Sequence, residues 1–263
     1  MKNGKIIKAG VAQWDIRLGD LTHNIEKAEQ FIESLCSDGA DLCVLPEMWS
    51  SGFDYRNLDK HAEKTPVILD GLKEMSVSLG ITICGSLPEK RDGRIFNSMF
   101  VVDSGEVKTS YSKIHLFTPT GEDRSFSAGE GAVICQTKHG ILGLIICYDL
   151  RFPELCRALT LAGAGIIVCS AQWPGARIHH WNTLLAARAI ENQVFIVASN
   201  RCGKDSSIIY GGSSRIISPY GRVIGECHEG EESVVADIDP EELVRFRKMM
   251  PCLEHIKPGA YNI

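Results

Sequence analysis

Short runs of β-branched and aliphatic residues, parted by stretches of helical periodicity, occur in the same order twice along the 263 residues. No other feature restricts the fold as much. In the first half IIKAGVAQW (6–14) reads as a strand, followed by an amphipathic helix near 22–37 and a buried strand at Leu42–Leu45. A helix near 66–79 and the strand-like runs ITICGS, IFNSMFVVD and VKTSYSK complete it. The second half opens on ILGLIIC (141–147), then a helix near 153–162, the strand GIIVCSA (165–171) and a helix from about 179 to 191. VFIVASN, GSSRIIS, RVIGEC and SVVADID follow. Continuous apolar runs between helices suit strands covered on both faces and at least partly parallel. Turn signals at Asp103-Ser104-Gly105 and Pro219-Tyr220-Gly221 suit antiparallel hairpins. Each half reads as roughly βαβαβββ. The expected fold is therefore α/β: a four-layer α-β-β-α sandwich built from two similar halves, in one domain over 1–263.

Ala-Gln-Trp stands in both halves, at 12–14 and 171–173, a weak echo that chance also explains. No linker divides the halves. Thr118–Glu130 is the candidate for a long functional loop, closing over a substrate or not. The tail from Met250, with Pro251 and Pro258, lacks periodicity and is expected to pack on a partner subunit or to fray.

A net charge of −5, with 28 Lys and Arg scattered along the chain, argues against nucleic acid or an anionic membrane as partner. No apolar stretch has the length of a signal core or a membrane span, so the expected location is the cytoplasm, where thiols stay reduced. Ten cysteines, at 36, 43, 84, 135, 147, 156, 169, 202, 227 and 252, raise the question of metal or disulfides. They contain no C-x-x-C and no zinc spacing, and most sit in apolar runs as small hydrophobes. His179 and His180 are neighbours on an expected helix, point in different directions and make a poor metal pair. Nucleotide-binding glycine motifs and the G-x-S-x-G elbow are absent from the sequence. No metal or organic cofactor is expected.

Three places carry chemistry. In LIICYDLRFPE an apolar strand ends at Cys147, the chain turns, and Pro153 suits a first helical turn. A thiol at a strand-to-helix turn is exposed at a sheet edge, where backbone N–H groups and the helix dipole favour the thiolate. A buried core cysteine is the competing reading. In LCVLPE, Glu47 follows a buried strand and a proline; an acid in such a pocket has its pKa raised toward acid–base use, whereas a loop position would leave it solvated. In YSKIHLF, Lys113 ends another strand and could donate to an oxyanion, or snorkel at the surface. His115 suits a Cys–His pair and a hydrogen-bonded, half-buried role equally well.

Taken together, PEMW around Glu47, YSKIHLF around Lys113 and ICYDLRFPE around Cys147 resemble the Glu, Lys and Cys motifs of the nitrilase superfamily of carbon–nitrogen hydrolases. Order and wide spacing agree, and the resemblance runs through essentially the whole chain. It implies the same four-layer sandwich, a homodimer or larger homo-oligomer, and no cofactor. It also implies a second glutamate in the pattern Glu-x-x-x-Phe-x-x-Gly, here Glu122, Phe126 and Gly129, which would hold the lysine and help to position the substrate. SAQWPGARIHHW followed by NTLLAARAIENQ is most similar to the ω-amidase branch, whose substrates are 2-oxo dicarboxylic acid monoamides such as 2-oxoglutaramate or 2-oxosuccinamate.

A carboxylate-bearing amide calls for a guanidinium, which binds it in bidentate fashion. Arg177, between a strand end and a helix, is the candidate, against a plain surface role; Arg201 is a poorer one. Arg151 is expected to brace the catalytic turn, with Glu154 as a partner. Trp173, Phe53 and Tyr148 are candidate pocket walls, core packing being the alternative. The expected chemistry has Cys147 attack the amide while Glu47 takes its proton, with Lys113 and the Tyr148 backbone N–H on the oxyanion. Two further substrates fit the same machinery, an N-carbamoyl amino acid and a nitrile. A catalytically silent ligand-binding scaffold is the reading from another class.

Overall fold

The computed structural model describes residues 5–205 and 208–260. Residues 1–4, and the end of the expected partner-binding tail at 261–263, lie outside the described residues. The first half contains β1 (Ile7–Gln13), α1 (Leu21–Ser37), β2 (Leu42–Val44), α2 (Leu58–Ser78), β3 (Thr82–Arg91), β4 (Arg94–Asp103) and β5 (Glu106–Ser112). Then come β6 (Ile134–Thr137), β7 (Gly140–Ile146), α3 (Pro153–Leu161), β8 (Ile166–Ala171), α4 (Ile178–Asn192) and β9 (Phe195–Asn200). A short antiparallel pair, β10 (Lys204–Asp205) and β11 (Ile208–Ile209), precedes β12 (Arg215–Ile217), β13 (Val223–Glu226), β14 (Glu232–Ile238) and α5 (Pro240–Met249).

Among the described residues two six-stranded sheets result, in the orders β14-β1-β2-β3-β4-β5 and β13-β12-β9-β8-β7-β6. Within each, three parallel strands are followed by two antiparallel ones: β1, β2 and β3 before β4 and β5, and β7, β8 and β9 before β12 and β13. The expected βαβαβββ repeat is thus present in both halves. One strand changes sides. SVVADID, expected with the second half, is β14 and pairs antiparallel with β1, Ile7 opposite Ile238. It occupies the place that β6 holds beside β7.

Side-chain alternation explains the layers. In β4, Met99 and Val101 join a buried cluster with Leu144, Val168 and Val197 of the second sheet, whereas Phe100 and Val102 join Ile32 and Leu35 of α1 and Ile68 and Leu72 of α2. In β2, Val44 belongs to the first cluster and Cys43 to the second. The second sheet is covered by Leu155 and Leu159 of α3 and by Trp181 and Leu185 of α4. This is the four-layer α-β-β-α sandwich.

Helix ends follow local chemistry. Asp20 caps α1 by accepting from the His23 N–H at 3.1 Å, and Pro153 opens α3 where a missing N–H is harmless. Helix α2 starts well before the expected residue 66. Pro66 lies inside it, and His61, Ala62, Ile68 and Leu72 are buried on both sides of the proline, so packing carries the helix through. Helix α5 was not expected, although Asp239 accepts from the Glu241 N–H, Pro240 opens the helix, Glu241 and Glu242 stand in its first turn and Arg247 and Lys248 in its last. All ten cysteines are free; Cys36, Cys147 and Cys252 are half-buried and the others buried. Among the described residues, no helix is long and apolar enough to cross a membrane.

Candidate active site

Three strands stop at the same place. Glu47 follows β2, Lys113 follows β5 and Cys147 follows β7, so the site draws on both sheets. Backbone bonds fix the convergence. The Glu47 N–H donates to the Ala171 carbonyl at the end of β8 (3.3 Å), and the Lys113 N–H donates to the Asn97 carbonyl in β4 (2.9 Å). From the 118–130 loop, the Gly129 N–H donates to the Lys113 carbonyl at 2.9 Å. A Cβ on Gly129 would lie 2.0 Å from the Ser112 carbonyl oxygen, which explains the glycine there.

Lys113 is buried between two carboxylates. Its Nζ donates to Glu47 Oε1 at 2.8 Å and to both oxygens of Glu122 at 2.9 Å. Asn97 Nδ2 donates to Glu47 Oε1 at 2.8 Å and to Glu122 Oε1 at 3.4 Å. The Phe117 N–H donates to Glu122 Oε2 at 2.6 Å, which turns the 118–130 loop back onto the lysine. Glu47, Lys113 and Glu122 are each at most 2% exposed. Burial, with Glu122 nearby, raises the Glu47 pKa above the usual carboxylate range against the pull of Lys113. Lys113 is held protonated by Glu47 and Glu122, which outweigh its own desolvation. A proton acceptor with raised affinity thus sits beside a cation that stays charged.

Cys147 lines the same cavity as Glu47 and Lys113. Burial and the Glu47 charge push the Cys147 pKa well up, and Lys113 and the Gln172 N–H only partly oppose them. The expected thiolate-favouring helix end is therefore corrected. Residues Cys147–Arg151 form a 3-10 turn and α3 begins only at Pro153, so the resting group is a neutral thiol that needs a base. Cys147 has φ +44°, in the left-handed region that non-glycine residues adopt at a cost.

Asp149 holds that turn. Fully buried, its carboxylate accepts from the Ile146 N–H (2.9 Å), the Tyr111 hydroxyl (2.7 Å) and the His115 N–H (3.0 Å), and pairs with His115 Nδ1 at 2.7 Å. This ties the cysteine turn to the segment just after Lys113. His115 is thus a brace on Asp149, stacked 3.6 Å from Phe152, and its other role, as partner to the thiol, is overturned.

The cluster lies at the floor of a cavity of about 660 Å³. Phe53, Tyr148, Trp173 and Arg177 line it together with Cys147, Lys113 and both glutamates, so the candidate catalytic residues and pocket walls face one space. The Tyr148 N–H opens a 3-10 turn, where the first amides have no carbonyl partner within the turn. Trp173 Nε1 donates to the Arg177 carbonyl at 2.8 Å, and the Arg177 guanidinium lies 5.5 Å from the Phe117 ring centroid. One expectation about the arginines changes. Arg151 lies 4.7 Å over the Trp173 ring and within 3.3 Å of His180 Nδ1; it lines the cavity and does not pair with Glu154. Arg201 is buried and bonded to Gln172, Asp15 and the Lys204 carbonyl. Asn97, Asp149, Gln172, Tyr55 and Tyr210 were not singled out. The available signals were a polar Asn97 amid the apolar IFNSMFVVD and Gln172 in the repeated Ala-Gln-Trp.

A family model described as carbon-nitrogen hydrolase matches residues 8–248. The chain belongs to that family. It is 38% identical to a 2-oxoglutaramate amidase of Bacillus subtilis (strain 168), covering 95% of this chain and 97% of that one. It is 34% identical to a chloroplastic omega-amidase of Arabidopsis thaliana, over 93% of this chain and 71% of the relative. The crystal structure of a CN-hydrolase superfamily protein from Xanthomonas campestris, with an arsenic adduct in its active site, superposes with a TM-score of 0.89. Identity there is 30%, over 96% and 98% of the two chains.

Two stability predictions follow for this carbon–nitrogen hydrolase. Lys113→Met leaves two facing carboxylates without their cation; thermal melts should show a large loss at pH 8 and a smaller one at pH 5. The sign comes from Glu47: its raised pKa means the native state holds a proton that the unfolded chain releases, so lower pH relieves the repulsion. Gly129→Ala should lower Tm and turnover together, because the methyl group collides with the backbone beneath Lys113.

Proposed function

We propose that the protein hydrolyses the terminal amide of a small carboxylate-bearing compound, with 2-oxoglutaramate and 2-oxosuccinamate as the model substrates. It yields the acid and ammonia through a thioester on Cys147. The supporting observation is the meeting, at one cavity floor, of a neutral thiol, a carboxylate of raised proton affinity and a permanently charged lysine. The amidase names of the most similar relatives agree with it.

The amide carbonyl carbon sits against Cys147 Sγ. Glu47 takes the thiol proton as the C–S bond forms, and the carbonyl oxygen becomes an oxyanion between Lys113 Nζ and the Tyr148 N–H. Lys113 keeps its proton because Glu47 and Glu122 both favour its charged form. As the tetrahedral centre collapses, Glu47 passes the proton to the departing nitrogen, the C–N bond breaks and ammonia leaves. Water then enters, gives a proton to Glu47 and attacks the thioester; the proton returns to sulfur as the acid is released. Glu122 anchors the lysine throughout. At the outer end, Arg177 pairs with the substrate carboxylate, while Phe53 and Trp173 exclude water from the apolar stretch between.

We also propose a homodimer or higher homo-oligomer acting in the cytoplasm. Exposed Leu161, Ile190 and Val244, on α3, α4 and α5, support an assembled state, and ten free cysteines fit a reducing compartment.

Ammonia release from a panel of 2-oxo ω-amides, neutral amides, nitriles and N-carbamoyl amino acids tests the substrate class directly. Cys147→Ala should release none. Glu47→Gln should lose ~10²–10⁴ in kcat, the usual span for a general base. In the parent enzyme, activity should fall on acidification with a limb above the ordinary glutamate range, since Glu47 must be ionised to accept the proton. Turnover by Cys147→Ala, or no trapped adduct on that residue with a slow amide, sinks the mechanism.

Arg177→Met should raise KM for carboxylate-bearing amides by roughly tenfold to a hundredfold, as expected for a lost charge-assisted pair, with neutral amides unaffected. Equal effects on both classes would remove Arg177 from substrate recognition.

A further inference from the structure

Glu47 is held at two points by one residue that the reaction scheme leaves unused. The Gln172 main-chain N–H donates to Glu47 Oε2 at 3.0 Å, and its side-chain Nε2 donates to the Glu47 carbonyl oxygen at 2.8 Å. The same N–H also favours the anionic form of the Cys147 sulfur. Gln172 follows β8 directly and is 4% exposed. Its Oε1 in turn accepts from Arg201 Nη1 at 3.0 Å. Arg201 Nη2 donates to Asp15 Oδ1 at 3.1 Å and to the Lys204 carbonyl at 3.3 Å, and the guanidinium lies 4.2 Å over the Tyr210 ring, a wall of the cavity. A continuous path of bonds runs from Asp15 through Arg201 and Gln172 to Glu47.

The chemistry of an amide makes this path directional. Between a carbonyl on one side and a guanidinium on the other, a primary amide has one workable orientation; flipped, it would set nitrogen against nitrogen and oxygen against oxygen. Arg201 therefore decides which way Gln172 points, and Gln172 fixes both the main chain and the carboxylate of Glu47. The two Glu47 oxygens are then divided. Oε1 takes Lys113 and Asn97, Oε2 takes the Gln172 N–H, and the carboxylate cannot swing while protons come and go. Such precision matters because small displacements of a reacting group are costly in rate.

We propose that Gln172 is a positioning residue for Glu47, and that Arg201 acts through it by locking the amide. The proposal rests on the hydrolase reading above, in which Glu47 is the base.

The test uses the full-length protein and two readouts. One is ammonia release from 2-oxoglutaramate; the other is the rate at which iodoacetamide alkylates Cys147 as a function of pH, followed by mass. Gln172→Met keeps the volume and loses both polar ends. Gln172→Glu keeps the acceptor for Arg201 and loses the donor to Glu47. Arg201→Lys keeps the charge and loses the fork. In Gln172→Met, kcat should fall roughly tenfold, the rate equivalent of one neutral hydrogen bond, with KM within about twofold of the parent. The acidic limb of both pH profiles should move up by roughly half a unit: without the side-chain bond to the Glu47 carbonyl, the main chain that aims the Gln172 N–H at Glu47 Oε2 is no longer pinned, and a carboxylate whose donor is misaligned binds its proton more tightly.

Gln172→Glu and Arg201→Lys should shift the limb in the same direction. A merely structural role lowers Tm and leaves the limbs in place. Folded Gln172→Met or Gln172→Glu protein with parental limbs and parental kcat overturns the proposal. If the parent enzyme hydrolyses no amide, the hydrolase reading fails separately, and the alkylation profile still decides whether Gln172 governs the Glu47–Cys147 pair.

Discussion

One ammonium group buried between two carboxylates governs the architecture of the site. Taking three charges out of water is expensive, and the cost is recovered only with close geometry and further donors. Lys113 has that geometry, with three contacts of 2.8–2.9 Å to Glu47 and Glu122, and Asn97 supplies the extra donor. The arrangement requires β2, β5 and the 118–130 loop to end within a few ångströms of one another. It also takes Glu47 out of water, and that burial, aided by the second carboxylate and opposed by Lys113, is why Glu47 holds a proton more readily than a surface acid does. The thermodynamic tension in the cluster is thus the source of its chemistry.

The doubled fold places the fourth member. Glu47 leaves the second strand of the first half and Cys147 the first strand of the second half, and packing the sheets face to face brings these two ends together. The Glu47–Ala171 backbone bond and Gln172 cross between the sheets at this point. Exchange of β14 onto β1 adds a covalent return from the second half to the first sheet. The site therefore depends on sheet packing as much as on any single loop.

The layers were legible in the sequence because alternation and helical periodicity are local and strong. Met99 and Phe100 in β4 already carry the instruction for two opposite faces. Pro66 concealed the first turns of α2, since a proline usually marks a helix start and here buried neighbours override it. The partner sheet of SVVADID was not readable, because alternation says that a strand has two faces and not which strand lies beside it. Glu47, Lys113, Glu122 and Cys147 were legible through their motifs, and all four come together. Asn97, Asp149 and Gln172 were not: an amide or acid inside an apolar run has meaning only once its partners, 25 to 125 residues away, are known. The direction of the Cys147 shift was misjudged for a related reason. The sequence shows the turn, but the depth of burial and the distance to α3 belong to the assembled structure.

Keeping the Cys147 proton in place until a substrate arrives also shields the sulfur between turnovers. Peroxide and disulfides attack thiolates and react slowly with thiols. An idle active site whose nucleophile is deprotonated only in the presence of an electrophile is spared the slow corrosion to which permanently activated cysteines are exposed. In the proposed mechanism, the burial that calls for Glu47 as a base is also what keeps the resting sulfur in its less oxidisable form.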